Sequence, residues 1–191
     1  MAKAEQPIVF FATPVELEAW IDEHGEESDG IWLKFAKKDS GIESVVYAEA
    51  VEIALSHGWI DGQAKRLDDD HYLQRFTPRR SRSKWSRINR EKAERLIAEG
   101  RMRAGGLREI ERAKEDGRWE DAYNSPSTAT VPDDFQAALD AEPAAAEFFA
   151  SLGSTKRYSF LYRITDAKRA ETRAKRIAEY VELLARGETL S

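Results

Sequence analysis

The chain contains no cysteine. Disulfides, thiolate nucleophiles and cysteine-based zinc sites are thereby excluded. Histidine is scarce as well. His24, His57 and His71 show no i,i+4 pairing of the kind that sets two ligands on one helix face. No apolar run approaches the roughly 18 residues of a membrane span. The N-terminus, MAKAEQPIVFFATPVELEAW, has one lysine and a short apolar run before a charged helical pattern. That is a poor secretory leader, and the expected location is cytoplasmic. Two motifs are missing too. Gly100, Gly105 and Gly106 lack the lysine of a phosphate-cradling loop and read as helix stop signals. Ser81, Ser83 and Ser86 stand in no nucleophile-elbow context.

What is present is charge, unevenly placed. The 191 residues are 41% hydrophobic and 34% charged, with a net charge of −5. The chain can bury a core beneath a heavily charged surface. Yet between Arg75 and Lys92, the cations Arg75, Arg79, Arg80, Arg82, Lys84, Arg87, Arg90 and Lys92 stand against Glu91 alone. A concentrated basic segment on an acidic protein points to a local anion site rather than general affinity for polyanions.

Taken in order, Ile8 to Phe11 reads as a short strand. Thr13-Pro14-Val15-Glu16 is a capping box with proline at the first helical position, and Gly25 ends that helix. Gly30 to Ala36 alternates as a strand, and a helix opening near Ser44 stops at Gly58. Trp59 to Leu67, a turn at Asp68-Asp69-Asp70, and His71 to Thr77 read as a β-hairpin. With the turn centred on Asp69, Gln63 faces Arg75 and Asp61 faces Thr77. Period-two alternation then puts Ile60, Ala64, Tyr72 and Phe76 on the core face. Trp59, Asp61, Gln63, Arg75 and Thr77 fall on the other. Pro78 breaks the strand and a basic loop follows to Trp85. Ser86 or Asn89 caps a helix with Ala93, Leu96 and Ile97 inward. Gly105-Gly106 separates it from a helix carrying Leu107 and Ile110. Asn124 to Pro132 is Ser-, Thr- and Pro-rich and reads as a linker. Helical patterns then cover Asp133 to Leu139, Ala144 to Leu152, and Ser154 onward with a break near Thr165-Asp166. On the last helix, Glu171 with Lys175 and Glu182 with Arg186 are i,i+4 pairs. The expected fold is α+β. A small, mainly antiparallel sheet with its hairpin at about 59–77 is packed by helices in a domain over 1–123. A linker at about 124–131 leads to a helical C-terminal region over 132–191.

Several motifs together resemble a known family. GWIDGQ (58–63), YLQRFTPRRSRSKWS (72–86), EGRMRAGG (99–106) and DGRW (116–119) are similar to the YdeI/OmpD-associated, or bacteriocin-protection, family. So are PDDFQAAL (132–139) and ITDAKRAETRAKRI (164–177). The resemblance spans roughly 30–187. It implies a role in bacteriocin or antimicrobial-peptide resistance, a form of stress protection, and an association with a porin. It supplies no catalytic residues.

The chemistry read from the residues is that of anion capture. Arginine offers a rigid fork of donors suited to phosphate or carboxylate, and an aromatic neighbour adds a stacking or cation–π surface. The candidate ligand-binding residues are Trp59, Asp61, Gln63, Arg75, Thr77, Arg79, Arg80, Lys84 and Trp85. Expected partners are a small anionic ligand or an acidic protein segment, bound without catalysis. One alternative is an enzyme with Asp61 as acid or base and Arg75 and Arg79 as anion clamps. Another is nucleic-acid binding through the 75–92 segment. Asp68-Asp69-Asp70 lacks the alternating oxygens of a calcium loop, so no metal and no cofactor is expected.

Overall fold

The structure is a computed structural model and describes residues 6–126 and 128–190. Residues 1–5, on which part of the leader reading rests, and Ser127, inside the expected linker, lie outside the described residues. The chain divides into two compact units, Met1–Ala122 and Tyr123–Ser191.

Among the described residues the first unit carries a four-stranded sheet and four helices. β1 (Ile8–Phe10) leads into α1 (Pro14–His24) through the capping box expected at Thr13. The Thr13 hydroxyl accepts from the Glu16 amide at 3.3 Å, and the Glu16 carboxylate accepts from the Thr13 amide at 3.4 Å. β2 (Ile31–Ala36) pairs parallel with β1, a geometry that requires a crossover such as α1. α2 (Tyr47–Ser56) then delivers the hairpin β3 (Trp59–Arg66) and β4 (His71–Pro78). The strand order is β1-β2-β4-β3, antiparallel except at β1–β2.

Alternation along β2 sets the layering. Ile31, Leu33 and Phe35 are buried while Trp32, Lys34 and Ala36 are half-buried. The buried set joins Leu17 and Ile21 of α1, Ala50 and Val51 of α2, Trp59 and Phe76 in one core. α3 (Arg87–Ala98) begins at Ser86, whose hydroxyl accepts from the Asn89 amide at 3.2 Å. Its Ala93 and Leu96 turn inward as expected, but Ile97 is exposed. With Leu55, Trp85, Ile110, Ala113 and Trp119 they form a second core beneath α3 and α4 (Ala104–Glu115).

Two expectations are corrected here. Gly105 and Gly106 do not separate helices; they lie in the first turn of α4. A Cβ on either would collide with a backbone carbonyl, that of His57 for Gly105 and of Ser56 for Gly106. The pair is small because two backbones touch there. Gly58, at φ +82°, faces the same junction, and a Cβ on it would lie 2.7 Å from the Gly105 oxygen.

The second correction concerns the hairpin. Lys65 faces Leu73, in keeping with a turn centred on Asp69, but the ladder then slips by one residue between Asp61 and Ala64, so Asp61 faces Phe76 and Ile60 faces Thr77. Gly62 and Gln63 form the bulge, and the buried Gln74 amide donates to the freed Gly62 carbonyl at 2.7 Å. One extra residue reverses every side chain before it. Trp59 therefore enters the core, Asp61 moves to the helix side, and Ile60 falls on the opposite face.

The second unit is helical: α5 (Asp133–Asp140), α6 (Pro143–Ser151), α7 (Ser154–Thr165) and α8 (Ala170–Ala185). Phe135, Phe149, Phe160, Ile164, Ile177, Tyr180 and Leu184 form its core. Arg173 of α8 holds Asp134 of α5 through two bonds of 2.6 and 2.7 Å. Residues read as a linker are tied down within this unit. The Tyr158 hydroxyl donates to the Asn124 carbonyl at 2.7 Å, and the Ala129 amide donates to the Ser125 carbonyl at 2.9 Å. The expected pairs on α8 give way to others: Lys175 pairs with Glu179 and Arg186 with Glu188.

Candidate functional site

The predicted site residues do not gather into one place. Asp61, on the helix side, accepts from the Tyr47 hydroxyl at 2.7 Å. Burial first, and then this bond, push the Tyr47 hydroxyl well above the ordinary phenol range. Arg75 projects from the other face and donates through Nε to Gln6 Oε1 at 2.7 Å. The clamp imagined for Asp61 and Arg75 is therefore not formed. Gln63 is exposed in the bulge, and Thr77 is half-buried opposite Ile60.

The basic loop is built from below. Arg79 is 5% exposed, and its guanidinium lies 3.6 Å from the Trp85 ring centre. Its amide donates to the Gly58 carbonyl at 3.0 Å, and Nη1 donates to the Lys84 carbonyl at 3.2 Å. Arg118, from the DGRW stretch, donates to the Ser83 carbonyl at 2.7 Å. A turn closes between Arg80 and Ser83, each amide bonded to the other residue. Trp85 is 1% exposed and meets Trp119 edge-on at 4.8 Å. It is a core residue, not the surface platform expected. A buried cation on an indole is worth about 2 kcal/mol, so this stack anchors the loop. Arg80, Arg82, Lys84 and Arg87 remain exposed. Among the described residues no carboxylate pairs with Arg80, Arg82 or Arg87.

Where Arg79 meets the start of β3, the sequence reading missed a cleft of about 630 Å³. Its walls are the end of α1 (Asp22, Glu26), the His57-Gly58-Trp59 turn, Pro78-Arg79, and the first turns of α4 with Arg103, Arg108 and Glu109. Of the predicted residues it unites Trp59 and Arg79. The glycine contacts above bring residues 56–59 (SHGW), which lead into the GWIDGQ motif, and the EGRMRAGG motif backbone to backbone. Their joint presence was the signal available in the sequence.

The cleft is polar and internally paired. His57 Nε2 lies 2.9 Å from Asp22 Oδ1, and Nδ1 lies 2.7 Å from the Ile53 carbonyl. Ser56 Oγ is 3.0 Å from Nδ1, but its proton goes to the Ile53 carbonyl at 2.8 Å, so the serine is not activated by the imidazole. Arg103 pairs with Glu18 at 2.7 Å and Arg108 with Glu26 at 3.2 Å. Both arginines are more than half exposed, so each pair is worth only about 0–1 kcal/mol. Glu109 accepts from Arg112 through Oε1, while its buried Oε2 has no donor among the described residues. The α4 N-terminus, at Arg103, has no side-chain cap. Among the described residues no three His, Asp or Glu side chains converge as a metal site, and no helix is long and apolar enough to cross a membrane.

Comparison with known proteins gives two matches. Residues 9–109, more than half of the chain, match the family model described as Domain of unknown function (DUF8412). Residues 128–187 match the model described as Bacteriocin-protection, YdeI or OmpD-Associated. The hairpin and basic-loop motifs lie in the first match, and both C-terminal motifs lie in the second. No curated protein and no solved structure matches the chain.

Proposed function

The chain belongs to the family described as Domain of unknown function (DUF8412), and from that premise we propose that its first unit is a non-enzymatic receptor for a small anionic ligand, bound in the cleft at the head of α4. The observation that carries the proposal is that Arg103 and Arg108 line one concavity beside the uncapped start of a helix, with buried Arg79 in its wall. Guanidinium forks and unsatisfied helix amides both favour a phosphate or carboxylate. Arg103 and Arg108 can exchange weak surface pairs for the ligand at small cost. Glu109 Oε2, buried and lacking a donor, favours a ligand that also carries an N–H or O–H group. The link to bacteriocin or antimicrobial-peptide resistance rests on the second match.

The test is a thermal-shift screen against inorganic phosphate, nucleotides, sugar phosphates and short acidic peptides. A native-state ligand at 100 times its Kd adds about 2.7 kcal/mol. The shift should vanish in the Arg103→Gln/Arg108→Gln variant, whose replaced side chains are exposed. A panel with no shift, or a shift that survives the double substitution, removes the cleft from consideration.

A further inference from the structure

The bulge that turns Asp61 inward leaves a different set of residues on the sheet face opposite α1 and α2. The ladders define it. One row runs Ile8, Trp32, Arg75 across β1, β2 and β4, and the next runs Phe10, Lys34, Leu73, Lys65 across all four strands. Ile8 is 54% and Phe10 is 41% exposed, whereas isolated exposed aromatics are normally scattered. Lys65 Nζ sits 4.1 Å from the Trp32 ring centre, and Lys34 Nζ 6.0 Å from that of Phe10. His71 meets Phe10 edge-on at 6.4 Å. No ladder position on this face carries an acid. At the hairpin turn, His71 is bonded to Asp68. On a chain of net charge −5, this face is cationic and aromatic at once.

We propose that this face binds single-stranded nucleic acid, with bases stacked on Phe10 and Trp32 and phosphates held by Lys34, Lys65 and Arg75. The occupant follows from the pattern. A four-stranded sheet that sets aromatic rings among basic residues complements what an unpaired strand presents, ring faces alternating with phosphates. Duplex bases are already stacked and cannot use the rings. A bilayer would be met by an apolar tip with cations at its rim. Here the cations lie between and over the rings, in the middle of the patch. Arg75 is oriented by Gln6, a neutral partner, so its charge stays available to a phosphate. The surface is separate from the cleft, and neither proposal depends on the other.

The experiment is fluorescence anisotropy with short fluorescein-labelled oligothymidylate and oligouridylate and the full chain, at low and raised salt. Saturable binding is expected. Phe10→Ala should weaken it on the order of tenfold, the loss of one stacked base. Lys65→Gln should reduce the slope of log K against log salt by about 0.7, one phosphate contact on a single strand. Circular dichroism melting confirms that each variant is folded. Arg80→Gln/Arg82→Gln should leave binding within about twofold of the parent, those residues being off this face. The proposal is overturned if no oligonucleotide binds at low salt. It is equally overturned if a duplex of the same length binds as tightly, or if Phe10→Ala and Lys65→Gln have no effect. Phe10-dependent binding to phosphatidylserine vesicles without oligonucleotide binding would reassign the face to lipid.

Discussion

Replacing Gly105 with alanine tests whether the cleft is built as described, because two effects of opposite sign meet at that residue. Alanine in a helix is favoured over glycine by about 1 kcal/mol, so on propensity alone the variant should gain stability. The new methyl, however, would press on the His57 carbonyl oxygen, with the His57 carbonyl carbon 3.1 Å away. The obstacle is backbone, held by the close of α2 and by the Arg103 amide donating to the Ser56 carbonyl at 3.1 Å. It cannot rotate aside as a flexible side chain would. Overpacking against such a wall costs about 1–3 kcal/mol, here at the upper end. The net expectation is a loss of about 2 kcal/mol, a fall in Tm of roughly 5–8 °C. Gly62→Ala is the control. Gly62 sits in the WIDG motif, but its Cβ would make ordinary contacts of 3.8 Å with Arg75, so that variant should be neutral or slightly stabilised. Thermal and urea unfolding of both variants decides the matter. A Gly105→Ala protein as stable as the parent would refute the backbone contact between SHGW and EGRMRAGG, and with it the shape of the cleft.

Three further outcomes are expected. In Asp61→Asn, spectrophotometric titration should show Tyr47 ionising at lower pH than in the parent, since its hydroxyl loses the carboxylate that helps to raise it. Because the folded value is raised, the stabilisation is present below the ordinary phenol value and is lost as pH climbs through the folded one. The variant should thus lose less stability than the parent as pH rises through the alkaline range, and an unchanged titration would count against the bond. Arg118→Gln should speed tryptic cleavage after Arg80, Arg82 or Lys84 by about tenfold, the equivalent of the ~1.5 kcal/mol of a charged hydrogen bond pinning the loop. Equal cleavage rates would mean the loop is held by other means. Arg173→Gln should move acid unfolding of the second unit to higher pH, followed by far-ultraviolet circular dichroism. The Arg173 bond holds the Asp134 carboxyl below its usual range, so its contribution is present above the unfolded value and fades as pH falls through the folded one. Coincident acid transitions would show that the pair contributes nothing.

The helix starts at Thr13 and Ser86, the strand at β2, the hairpin and the break after α7 were legible because each follows from a local signal. A capping side chain, period-two alternation or an apolar stripe acts within a few residues. The bulge was not legible to the same degree. Nothing in WIDGQA fixes which residue is unpaired; that is settled by Gln74, twelve residues on, whose buried amide needs the Gly62 carbonyl. One residue of slip sent Trp59 to the core, Asp61 to Tyr47 and Ile60 outward, and so dissolved the grouping of Asp61 with Arg75. The basic segment misled for a related reason. Charge counted along a sequence treats all arginines alike, but of Arg79 and Arg80, adjacent in the chain, the first is buried at 5% exposure and the second is exposed. An indole beneath the first and none beneath the second makes the difference, and Trp85 reaches Arg79 only because the loop turns back between Arg80 and Ser83. Basic residues here therefore do two jobs. The buried one shapes the loop and the cleft wall, while the exposed ones set the field that a ligand meets. A stretch of like charge is best read by asking which member has an aromatic neighbour available to bury it.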